Sequence, residues 1–117
     1  MIITRQLTSG GSEVKMKHIS DIVKKSYKLV FRVHALRQMF NRRIGEADVQ
    51  EVVRNGRIIE EYPDDKPYPS YLIYGSVNDR PLHVVGAYDK EEGMIIVITA
   101  YEPDPDLWED QFTRRKS

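Results

Sequence analysis

The run Met94-Ile95-Ile96-Val97-Ile98-Thr99-Ala100-Tyr101 limits what this chain can fold into more than any other stretch. It is short, β-branched and apolar on both faces. A strand of that kind normally lies inside a sheet and is covered by helices on at least one side. The sheet is therefore expected to centre on Ile95 to Ala100. Its neighbours alternate more and can lie nearer the edge. Ser70 to Val77 and Pro81 to Tyr88 read as strands joined by the turn pair Asn78-Asp79, a hairpin, and a second turn around Glu91-Glu92-Gly93 leads into the apolar run. Arg57 to Tyr62 is a further strand, ended by Pro63 and followed by the loop Asp64-Asp65-Lys66-Pro67. Tyr27 to Val33 reads as another.

Helix signals fill the space between these strands. On a helical wheel, His34, Arg37, Gln38, Asn41 and Arg42 fall in one arc, with Ala35, Leu36, Met39 and Phe40 in the opposite, packing arc. After a tight Arg43-Ile44-Gly45 turn, Gly45 can cap a second helix. Glu46 and Asp48 sit in its first turn, Ile44 can staple to Val49, and Val49, Val52 and Val53 form its apolar stripe. Asn55-Gly56 is expected to end that helix in a left-handed conformation. Upstream, Ser20 can cap a short helix carrying Ile19, Ile22, Val23 and Tyr27. Downstream, Asp104 to Glu109 has helix-start chemistry, so Leu107, Trp108 and Phe112 are expected to dock a short C-terminal helix. The order of elements predicts an α+β domain: a small, mostly antiparallel sheet of four to five strands packed against N-terminal helices. Residues 1–15, with Thr8-Ser9-Gly10-Gly11-Ser12, read as a flexible, dispensable arm, and Met16-Lys17 as a second start. Residues 16–117 read as a single domain.

At 117 residues, a chain with 40% hydrophobic and 31% charged residues can bury a core without disulfides or metals. The formal net charge is zero, but it is segregated. No acid occurs from Ile22 to Gly45, whereas Lys24, Lys25, Lys28, Arg32, Arg37, Arg42 and Arg43 do. Glu102, Asp104, Asp106, Glu109 and Asp110 crowd the far end before a basic Arg114-Arg115-Lys116 tail. With no cysteine, thiolate zinc sites and thiol nucleophiles are excluded, and three scattered histidines argue against a metal site. No apolar run approaches a membrane span and no signal-peptide core is present, so a cytoplasmic protein with no membrane partner is expected.

Several segments together carry a resemblance. His34-Ala35-Leu36-Arg37, then Arg43-Ile44, Val49, Val52 and Gly56, then Ile59 and Tyr62-Pro63, then Leu82-His83-Val84-Val85, and finally Ile98-Thr99-Ala100-Tyr101-Glu102-Pro103 with Trp108, resemble a small bacterial domain family of unknown function grouped with RelE-like and BrnT-like toxins. The resemblance spans about Tyr27 to Arg115. It implies a RelE-like fold and a toxin role, with RNA, including ribosome-bound mRNA, as substrate. A small zinc-finger antitoxin is the implied partner.

Metal-independent RNA cleavage needs a base for the 2′-hydroxyl proton, an acid for the leaving 5′-oxygen, and cations for the phosphorane. No cofactor is called for. His34 and His83 can move protons near neutrality, Arg37 and Arg43 can hold phosphate oxygens, and Tyr101 can donate a hydrogen bond or a proton. Lys28, Arg32 and Arg42 are the expected nucleic-acid contacts. Each has a plainer reading. His34 can hydrogen-bond a neighbouring turn, and His83 can be a buried histidine with a satisfied partner. Tyr101 can simply pack, and Arg43 can pair with a buried carboxylate or lie past a helix ending at Asn41. The function expected is a toxin-like endoribonuclease. Two readings compete with it: a non-catalytic RNA- or protein-binding module on the same fold, and a regulatory module whose acidic Glu102 to Asp110 segment docks a basic partner.

Overall fold

A computed structural model describes residues 17–116, so the arm assigned to residues 1–15 lies outside the described residues. The elements in order are α1 (Ile19–Ile22), β1 (Lys28–Phe31), α2 (Val33–Arg42), α3 (Glu46–Asn55), β2 (Arg57–Tyr62), β3 (Ser70–Val77), β4 (Arg80–Asp89), β5 (Met94–Tyr101), β6 (Trp108–Glu109) and β7 (Arg114–Arg115). The five long strands form one sheet ordered β1-β5-β4-β3-β2, with only β1 parallel to its neighbour, and β6 and β7 form a separate hairpin. The expected α+β class and mostly antiparallel sheet are found.

The centre of the sheet is β4, not β5. Beyond Val97 the outer edge of β5 has no strand beside it, because β1 ends at Phe31. The chain enters α2 there instead, and α2 packs along β5 while α3 lies across β3 and β4. Ala35, Met39, Val49, Val52 and Val53 from these helices meet Ile73, Leu82, Val84, Ile95, Val97 and Ala100 in one buried cluster. Burial of such aliphatic side chains contributes about 1.5–3 kcal/mol each and dominates the stability of this layer.

Local capping differs from expectation at the start of α1 and the end of α3 and agrees with it at Gly45. His18, not Ser20, precedes α1, and its N–H donates to the Asp21 carboxylate at 2.9 Å. Gly45 does precede α3, where Asp48 accepts the Gly45 N–H at 2.9 Å. Gly56 is extended (φ −78°) rather than left-handed. It is glycine for a different reason, since a Cβ would collide with the carbonyl oxygens of Val52 and Tyr74.

The packing face of α2 is also rotated. Ala35 and Met39 are buried, but Phe40 is 83% exposed and Val33 64%. Because α2 lies along the β5 edge, its inner stripe is Ala35, Gln38, Met39 and Arg42: two members of the expected polar arc face the sheet and bond it. Arg43 ends the helix in a left-handed conformation (φ 58°), exposed, with no ion pair to a carboxylate among the described residues.

The expected C-terminal helix is absent. Asp110, Gln111 and Phe112 all take positive φ (53°, 58° and 67°), turning the chain into the β6–β7 hairpin. Trp108 anchors this hairpin and is 4% exposed. Its partner is His83 on the sheet, a long-range contact that overrides the local helix signals.

Candidate functional site

Strand alternation aims Leu82 and Val84 at the helices and His83 at the opposite face. Two bulges then bring further groups to the same face. On β5, Val97 pairs with Gly86 and Thr99 with Val85, leaving Ile98 as an extra residue. Without it, Tyr101 would share the face of Ile95 and Val97; with it, Ala100 enters the core and Tyr101 lies opposite His83. On β2, Ile58 pairs with Ile73 and Glu60 with Leu72, leaving Ile59 extra. That moves Glu60 and Tyr62 from the side of Ile58 to the side of His83.

His83 is completely buried. Its Nε2–H donates to the Phe112 carbonyl at 2.8 Å, which leaves Nδ1 to accept from the Tyr101 hydroxyl at 3.3 Å. Trp108 meets the imidazole edge-to-face at 4.5 Å, Tyr101 at 5.3 Å and Tyr74 at 6.0 Å, while Phe112 stacks on Tyr74. Burial lowers the His83 pKa, against smaller opposing effects of the Phe112 bond and Glu60. Burial also raises the Tyr101 pKa. The pair therefore rests as neutral imidazole and protonated phenol.

Charge surrounds this pair. Glu60 accepts from the Tyr62 hydroxyl and from Arg115 Nε at 3.1 Å, and the Arg115 guanidinium lies 4.7 Å over the Trp108 ring. Glu60 and Arg115 both act electrostatically on His83 and on Tyr101, and Arg42 acts on Tyr101 as well. Arg42 Nη1 donates to the Ala100 carbonyl at 2.8 Å. Thr99 donates to Gln38 at 2.7 Å, and Gln38 in turn meets His34 Nε2 at 3.0 Å.

Of the residues singled out from sequence, His83, Tyr101 and Arg42 are thus brought together. His34 is exposed on α2, and its hydrogen-bond chain runs through Gln38 and Thr99 to Arg42, whose Nη1 donates to Thr99 Oγ1 at 3.4 Å, without reaching Tyr101. Arg37 faces outward beside Val33, Leu36 and Phe40. Arg43 lies in the turn, where Arg80 binds its carbonyl at 2.7 Å, and Lys28 and Arg32 are exposed at the two ends of β1. Glu60, Tyr62 and Arg115 join the cluster without being among the site residues that the sequence indicates. Only the two bulges and the hairpin place them there, and neither leaves a clear periodic signal in the sequence. Among the described residues no group of three or more His, Asp or Glu side chains could hold a metal ion, and no helix is long and apolar enough to cross a membrane.

The fold and this cluster define an α+β domain with a hydrogen-bonded His–Tyr pair under a C-terminal hairpin. The chain belongs to a family described as a domain of unknown function, DUF4258, whose model matches residues 31–102. The match includes Glu60, His83 and Tyr101 but stops before the hairpin that supplies Trp108, Phe112 and Arg115. No curated protein and no solved structure matches the chain.

Proposed function

We propose that this chain is a toxin-like, metal-independent endoribonuclease related to RelE- and BrnT-type toxins, a cytoplasmic protein neutralised by a small zinc-finger antitoxin. The observation that carries this reading is the half-buried Tyr101, its hydroxyl held on neutral His83 and within electrostatic reach of Glu60, Arg115 and Arg42. Glu60 takes the 2′-hydroxyl proton, the 2′-oxygen attacks phosphorus, and the bond to the 5′-oxygen breaks. Tyr101, protonated at neutral pH, gives its proton to that oxygen, leaving a 2′,3′-cyclic phosphate and a free 5′-hydroxyl. Arg115 and Arg42 offset the charge on the phosphorane. His83 does not touch RNA; it positions the phenol. The long 3.3 Å bond from Tyr101 to His83 is weak enough for that proton to be redirected. His34, Arg37, Arg43, Lys28 and Arg32 serve as backbone contacts to RNA, including mRNA on the ribosome.

The total burial of His83 and the engagement of both its ring nitrogens favour a second reading, a non-catalytic RNA- or protein-binding module. Incubating the purified chain with mixed RNA in EDTA, with and without ribosomes, separates the two. Cyclic-phosphate ends that disappear in Tyr101→Phe and Glu60→Gln support cleavage. Intact RNA under both conditions, with the RNA still retarded in a gel, leaves the binding reading.

A further inference from the structure

Away from the His83 cluster, a cleft of about 920 Å³ opens between the end of α1, the segment before β3 and the β4–β5 turn. Tyr68, Tyr71 and Tyr88 line it, and Lys24, Lys25 and Lys90 stand around it. The tyrosines form a graded surface: Tyr71 is almost wholly buried, whereas Tyr68 and Tyr88 are half-exposed. The Asp89 carboxylate accepts the Glu92 N–H at 3.1 Å and acts on the Tyr68 hydroxyl, raising its pKa. Asp89 itself is 4% exposed, and its carboxylate is engaged by that N–H. The three lysines are exposed and have no salt bridge among the described residues; Glu91 and Glu92 act on the Tyr68 hydroxyl, so the free positive charge of the cleft is that of Lys24 and Lys25, which follow α1.

Aromatic faces beside unpaired ammonium groups match a ligand that is flat and apolar at one end and anionic at the other. We propose that this cleft binds a nucleotide unit, its base stacked on Tyr68 and Tyr88 and its phosphate on Lys24 and Lys25. A free mononucleotide and one residue of a single-stranded RNA share this chemistry. The site needs none of the groups assigned to cleavage and stands apart from that reading.

The test titrates the full chain with adenosine monophosphate, uridine monophosphate and a short single-stranded oligoribonucleotide made uncleavable by 2′-O-methylation, read by chemical shifts of the tyrosine rings. Perturbation of Tyr68 and Tyr88 by the mononucleotides assigns a free nucleotide; perturbation by the oligonucleotide alone assigns RNA. Tyr68→Ala should weaken binding by roughly 5- to 100-fold, the worth of one lost stack, while Tyr68→Phe retains it. Lys24→Glu with Lys25→Glu should weaken it by about tenfold or more and flatten its salt dependence. Tyr101→Phe should bind as the wild type does, whether or not it has lost cleavage. Tyrosine rings unmoved by all three ligands, or unchanged affinity in Tyr68→Ala and in the lysine variant, would overturn the proposal.

Discussion

Under the helices the sheet presents Ile73, Leu82, Val84, Ile95 and Val97, while its other side carries Tyr74, His83 and Tyr101 beneath a hairpin of few residues. The first side is held by non-directional apolar burial, which tolerates imprecise aim. The second is held by directional contacts, in which a carbonyl, an imidazole and a phenol must meet in sequence. Ion pairs at its rim, such as Arg115 with Glu60, are partly exposed and add little stability by themselves. The helix side can thus carry the fold without the directional bonds of the other side.

The sharpest separation of the two sides is functional. If the second side is catalytic, Tyr101→Phe should reduce RNA cleavage by about 10²–10⁴-fold, with a thermal midpoint near the wild-type value, because only a hydroxyl is removed. A variant that unfolds early and loses activity in proportion would show that Tyr101 only packs. In stability, Leu82→Ala on the helix side should cost about 2–5 kcal/mol in a single cooperative denaturation. Trp108→Ala should instead release the hairpin, so tryptic cleavage after Arg114 and Arg115 accelerates while the global midpoint moves less than in Leu82→Ala. Equal global losses with unchanged proteolysis would make the two sides one cooperative unit.

Protonation distinguishes them further. The folded pKa of His83 lies below its unfolded value of about 6.5, so the unfolded chain binds the extra proton between the two. Its contribution to stability is complete above pH 6.5 and is lost as pH falls from there through the folded value. Thermal midpoints from pH 7.5 downward should therefore drop more steeply in the wild type than in His83→Gln. Parallel curves would remove His83 from the account.

What could be read in the sequence follows the same division. The β3–β4 hairpin and the Gly45–Asp48 start of α3 depend on neighbours in the chain, so turn and cap residues announce them. The facing of Tyr101 and Glu60 depends on single extra residues, Ile98 and Ile59, that reverse the alternation downstream of them. Nothing in an apolar run such as Ile95 to Ile98 marks which isoleucine will bulge. Phe40 departs from the packing arc for a related reason: a wheel gives the angle between side chains but not where a helix sits on the sheet, and α2 sits at an edge. Trp108 was expected to anchor a helix and anchors a hairpin, because its partner His83 is distant in sequence.

The smallest expected effect lies wholly on the helix side. The Asp48 carboxylate accepts the Gly45 N–H and places a negative charge in the first turn of α3, where the helix dipole favours it. Asp48→Ala should cost about 1 kcal/mol, a fall of roughly 3–6 °C in the thermal midpoint. Because α3 contacts β3 and β4 through Val49, Val52 and Val53, whose burial the cap does not set, the hairpin should stay as resistant to trypsin as in the wild type. Any cleavage activity should likewise be unchanged at temperatures below the midpoint. If so modest a loss at the α3 start instead loosened the hairpin or altered cleavage, the two sides would be coupled through β4, and the directional network around His83 would have to be treated as part of the core.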